Sequence, residues 1–146
     1  MMYDENFLKD FAGRASENYK QMKGSEYEVT ALFCSFSGLL SVLDENVRKD
    51  LFRNVKYPIF LKDIRNDLSD IDEGNKSLSM IRHLRNSLCH LKIDEKHIRH
   101  NEKNEITSII LEDINLKNQI TFSCELSVSE LEELFFFIAN TVLIIS

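Results

Sequence analysis

Apolar residues recur along the first third of the chain at the spacing of an α-helix. Phe7, Phe11, Ala15, Tyr19 and Met22 fall on one helical face. After Gly24-Ser25, a second run of Val29, Leu32, Phe33, Phe36, Leu40 and Leu43 does the same. The break between them is short, so the two helices are predicted to pair antiparallel. Pro58, after Tyr57, is placed to open a further helix with Phe60, Leu61, Ile64, Leu68 and Ile71 as its stripe, before an acidic break containing Gly74. Ser77 suits the N-cap of the next helix, which carries Leu78, Ile81, Leu84, Leu88 and Leu91. Residues 94–105 are almost wholly polar and predict an exposed, mobile loop.

The period then shortens from near 3.6 to near 2. Ile120, Phe122 and Cys124 alternate with Thr121 and Ser123, and residues 106–111 are rich in β-branched side chains. A β-hairpin is predicted, its turn within residues 113–118 and longer than the two-residue ideal, which leaves its register open. Ser127 and Glu130 have the spacing of a capping box and start a last helix that buries Leu131, Leu134, Phe135, Ile138 and Val142. The consecutive Phe135, Phe136 and Phe137 cover most of that helix's circumference, so it is either central or turns one side to a second subunit. The expected architecture is mainly α: an antiparallel bundle of four to five helices with a small β-hairpin before the C-terminal helix, in the order α-α-α-α-β-β-α.

Length and composition keep this to one domain, residues 1–146: 43% of the chain is apolar, and one proline and four glycines leave no linker-like stretch. The most apolar segment, 134–145, falls short of the roughly 20 residues that span a bilayer as a helix. No membrane partner is expected. Residues 1–9 mix acids and bases and lack the apolar core of a secretory signal. Cys34, Cys89 and Cys124 are odd in number and widely spaced, which suits neither a disulfide framework nor a zinc cluster. A cytoplasmic location is expected.

The net charge of −6 argues against a nucleic-acid partner until its distribution is read. Residues 48–66 carry six bases and two acids, and residues 76–103 carry seven and three together with all four histidines. A basic patch on an acidic body follows, although solvated helix faces account for the charge equally well.

The second basic block carries the candidate chemistry. Arg82, Asn86 and His90, spaced by four, share one helical stripe roughly opposite the leucines and face away from the core, with Arg85 on the flank. RNA can be cleaved without a metal when the 2′-hydroxyl attacks the adjacent phosphate, provided one group moves a proton and another stabilises charge on the phosphoryl oxygens. An imidazole titrates near neutrality and a guanidinium grips phosphate oxygens in pairs, while an amide orients without titrating. His97 and His100 have no carboxylate at suitable spacing on a firm helix, so no metal or other cofactor is assigned. Cys89 and His90, as sequence neighbours on a helix, point about 100° apart and make a poor nucleophilic pair.

The run Arg85-Asn86-Ser87-Leu88-Cys89-His90 resembles the signature of HEPN domains: an arginine, a polar residue, three further residues and a histidine near the end of a helix in an α bundle. The surrounding order, a polar loop, a strand pair and a final helix, is similar to a plasmid-borne, toxin-associated branch of that family. The resemblance implies a homodimer in which two copies of the motif form one composite ribonuclease site. It implies that Arg85 stabilises the transition state, His90 acts on the 2′-hydroxyl or the leaving oxygen, and Asn86 orients them. Arg82 is expected to contact the RNA substrate. An antitoxin protein is a further implied partner, but one variant carries a tyrosine two residues after the histidine as a nucleotidylation target, and this chain has Lys92 there. The competing reading is a non-catalytic HEPN-like dimer that binds nucleic acid, a nucleotide or a protein.

Overall fold

A computed structural model describes residues 5–26, 28–43, 65–66, 73–92 and 94–144. Through them run α1 (Glu5–Met22), α2 (Glu28–Ser41), β1 (Arg65–Asn66), α3 (Glu73–Cys89), β2 (Ile98–His100), β3 (Ile106–Ile114), β4 (Ile120–Ser127) and α4 (Val128–Ile144). The mainly helical character and the hairpin before the last helix match the expectation from periodicity.

α1 stops where Gly24 takes a φ of 89°, a left-handed conformation that glycine adopts without steric cost. The Ser25 N–H and hydroxyl both donate to the Met22 carbonyl, at 3.1 and 2.7 Å. The chain reverses there and α2 packs on α1. The buried face of α1 keeps Ala15 and Tyr19 of the expected stripe but opens with Leu8 and Ala12, leaving Phe7 exposed and Phe11 partly buried against the core. Two alanines on the inner face allow close approach, and the Tyr19 ring meets those of Phe135 and Phe136 at 5.8 and 5.7 Å. Its hydroxyl donates to Glu132 Oε2 at 2.5 Å, and Lys23 Nζ donates to Glu132 Oε1 at 2.8 Å, tying α1 to α4.

α4 contacts α1, α2, β3 and β4, so the phenylalanine run belongs to a central helix. Phe135 is fully buried, and Phe136 is covered by Lys20, whose Nζ lies 5.7 Å from the ring centroid. The capping box forms as expected: the Ser127 N–H donates to Glu130 Oε1 at 3.0 Å and the Glu130 N–H to Ser127 Oγ at 3.1 Å.

The strands form one antiparallel sheet in the order β1-β4-β3-β2. Its inner face is set by the β3–β4 register, in which Ile109 opposes Leu126, Leu111 opposes Cys124, and Asp113 opposes Phe122. Burial pushes the Cys124 thiol up to about 12, with the Glu130 carboxylate adding to it.

Three sequence expectations are corrected. Residues 94–105 are not simply a loop: Asp94 accepts the Lys96 and His97 N–H groups at 3.0 and 2.9 Å, which turns the chain into β2 and buries Ile98 against β3. Within the helix expected over 60–71, the two described residues, Arg65 and Asn66, are extended and pair with Ser123 and Phe122, covering an edge of β4 that would otherwise leave backbone groups unpaired. The remainder of that expected helix lies outside the described residues. α3 begins at Glu73, one turn before Ser77, because Gly74 and Asn75 cost little in a first turn that has few hydrogen bonds to lose.

The β2–β3 and β3–β4 turns are built alike. Asn101 Oδ1 accepts the N–H groups of Lys103 and Glu105, and Asn115 Oδ1 accepts those of Lys117 and Gln119, all at 2.9 to 3.0 Å. Three residues after each stands a second asparagine in the left-handed region, Asn104 at φ 61° and Asn118 at φ 60°. Each turn is flanked by a register shift.

Candidate functional site

The last turns of α3 lie between the helical core and the sheet. Ile81, Leu84 and Leu88 are buried toward the core, while the flank of His83 and Asn86 approaches β3. This divides the expected stripe. Arg82 and His90 are exposed, but Asn86 is half-buried and its Nδ2 donates to Asp113 Oδ2 of β3 at 3.2 Å. The sheet packs beside the helix at that angle, so Arg82, Asn86 and His90 do not share one open face. Arg85 is half-buried and its Nη2 donates to Asn86 Oδ1 at 3.4 Å. The His90 N–H donates to the Asn86 carbonyl at 3.0 Å, so the imidazole leaves from the final turn of the helix.

Sequence reasoning missed two members of this cluster. His83 is 5% exposed, its Nδ1 sits 2.7 Å from Asp113 Oδ2, and its ring stacks on Phe122 with centroids 5.4 Å apart and planes 5° from parallel. Asp113 directly opposes Phe122 across the strand pair, so one register position supplies both the imidazole's stacking surface and its acceptor. A signal existed in the sequence: Ile109, Leu111 and Asp113 alternate on the inward parity of β3, and an acid at an inward position needs a partner.

The other histidines divide similarly. His97 is buried, with Nδ1 2.7 Å from Asp94 Oδ1 and Nε2 3.2 Å from Glu112 Oε2. The second pair is close but makes no hydrogen bond. The His97 hydrogen bonds hold the Asp94 carboxyl below its ordinary range. His100 is exposed on β2. Lys92, in the place where the tyrosine of one family variant would stand, lies 3.8 Å from Glu112. Cys89 is exposed and lies outside the core. Among the described residues no group of three or more His, Cys, Asp or Glu side chains is gathered closely enough to hold a metal ion. Nor is any described helix long and apolar enough to cross a membrane.

No curated protein and no solved structure matches the chain. The model of one protein family, described as HEPN pEK499 p136, matches residues 1–145. With that match running nearly from end to end, and with the Arg85-Asn86 to His90 motif closing α3 of a mainly helical fold, the chain belongs to the HEPN family.

Proposed function

We propose that the protein is a metal-independent endoribonuclease whose site is completed by a second copy of the chain. The observation that carries this reading is the placement of Arg85, Asn86 and His90 within the last turns of α3: Arg85 is tethered to Asn86, and His90 is exposed to meet a substrate or a twin site. The 2′-hydroxyl oxygen attacks its own 3′-phosphorus and the bond from phosphorus to the 5′-oxygen breaks. A proton leaves the 2′-hydroxyl and another reaches the departing 5′-oxygen, giving a 2′,3′-cyclic phosphate and a 5′-hydroxyl. The His90 imidazole of one copy serves either proton transfer, Arg85 stabilises the charge that builds on the phosphoryl oxygens, and Asn86 orients them. Arg82, exposed one turn before Asn86, contacts the RNA backbone. In this reading the enzyme is a toxin or a defence or stress nuclease acting in the cytoplasm, and an antitoxin protein is its natural regulator.

The test is cleavage of a labelled RNA in excess EDTA. Arg85→Ala and His90→Ala each lower the rate by roughly a hundredfold or more, and an oligonucleotide lacking the 2′-hydroxyl stays intact. Cleavage by both variants at the wild-type rate overturns the proposal. RNA that stays whole while a stable dimer binds it establishes the non-catalytic alternative.

A further inference from the structure

Asp113 and His83 lie outside the family motif, yet the hydrogen bonds run unbroken from His83 through Asp113 and Asn86 to Arg85. Resting on the ribonuclease reading above, we propose that Asp113 and His83 are positioning residues of that site, which fix the Asn86 amide in the one orientation that holds Arg85. An asparagine amide has two faces of opposite character, a carbonyl that only accepts and an amino group that only donates. Next to a carboxylate the choice is forced. Turned the other way, Asn86 would set its carbonyl oxygen 3.2 Å from Asp113 Oδ2, acceptor against acceptor, and would point its amino group at a guanidinium, donor against donor. With Asp113 in place, the amino group faces the sheet and Oδ1 faces Arg85.

The carboxylate must itself be held still to set that choice. Asp113 stands at the end of the regular β3–β4 register, immediately before the bulge at Ile114. The same oxygen that takes the Asn86 amide also meets His83 Nδ1, and the His83 ring is pinned flat on Phe122. His83 and Asn86 are three residues apart on α3, so both reach one strand residue from one helical face. The Thr121 hydroxyl also donates to the Asp113 main-chain carbonyl at 3.3 Å. The sheet thereby sets the geometry of a helix-borne motif.

The test measures kcat and KM for RNA cleavage in EDTA, with thermal melting and dimer mass as controls, for Asp113→Asn, His83→Gln and the exchange variant Asn86→Asp/Asp113→Asn. The exchange restores donor to acceptor matching between positions 86 and 113, with the charge on the other side, but not the acceptor that His83 Nδ1 meets. We expect the two single variants to lose roughly tenfold to a hundredfold in kcat, in line with the cost of small misplacements of a reacting group. KM, melting and dimerisation change little, and the exchange variant regains part of the loss. A merely structural role would lower the melting point and leave kcat per folded molecule unchanged. Should Asp113→Asn fail to fold, Asp113→Glu keeps the charge but displaces it by one methylene, and the same fall in kcat is expected. Full kcat in folded Asp113 and His83 variants overturns the positioning role while the ribonuclease reading stands. Wild-type protein that shows no Arg85-dependent cleavage overturns both.

Discussion

Replacing Tyr19 by phenylalanine removes one oxygen from a ring that is otherwise fully buried. That hydroxyl donates to the Glu132 carboxylate, and burial, followed by the hydrogen bond and charge of Glu132, pushes its ionisation above the ordinary range. It therefore remains a donor through neutral and mildly alkaline solution. A hydrogen bond to a charged acceptor contributes about 1.5 to 3 kcal/mol. Glu132 keeps the Lys23 ammonium and is 22% exposed, so water can replace part of what is lost and the lower end applies. About 1.5 kcal/mol in a chain of this size corresponds to a fall of roughly 5 °C in Tm.

The acid dependence follows from Glu132. Burial alone would raise its carboxyl, but the hydrogen bonds from Lys23 and Tyr19 outweigh that and hold it below its usual range. A depressed folded-state pKa contributes stability above the unfolded value, near 4.3, and that stability is lost as pH falls through the folded value. The difference between wild type and Tyr19→Phe is therefore full at pH 7 and narrows below about pH 4. Thermal melts followed by circular dichroism between pH 3.5 and 7 measure it. Coincident melts at pH 7, or a difference that widens toward acid, would show that the Tyr19 to Glu132 contact does not tie α1 to α4 in the way described.

Ser127→Ala opens the capping box at the start of α4 and should cost about 1 kcal/mol in urea unfolding, with no loss expected if the two bonds are not formed in solution. Asn118→Val places a branched side chain at a φ of 60° and should destabilise by about 1–2 kcal/mol, whereas Asn118→Gly should be close to neutral. Cys34 and Cys89 are exposed and Cys124 is buried with its thiol pushed up to about 12, so a thiol reagent at pH 8 should label the first two in native protein and Cys124 only after denaturation. Rapid native labelling of Cys124 would contradict the packing of β4.

The four described helices and the β3–β4 hairpin were legible because each repeats its period over many residues. Ser127 and Glu130 marked the start of α4 through local chemistry alone. β2 was hidden because Ile98 is its one buried apolar residue, although the matching forms Asn101-Glu102-Lys103-Asn104-Glu105 and Asn115-Leu116-Lys117-Asn118-Gln119 announce the same turn twice. β1 has no local signal, since two residues become a strand only through the edge they meet. The face of α1 was legible at Ala15 and Tyr19 but not at Leu8 and Ala12, because phenylalanine outranks alanine in any hydrophobic count, whereas close packing against α2 and α4 favours the smaller side chain. For the site, the motif supplied Arg85, Asn86 and His90. Asp113 lies 27 residues from Asn86, and no helical spacing can report a contact that a sheet creates.

Ser127 is at once the last residue of β4 and the cap of α4, so strand passes into helix with no slack between them. One inserted residue at this junction would turn everything downstream by about 100° and swing Phe135 out of the interior. Lengthening of the chain in this half of the molecule is therefore confined to the two asparagine-built reversals, where added residues project into solvent without altering the phase of the central helix.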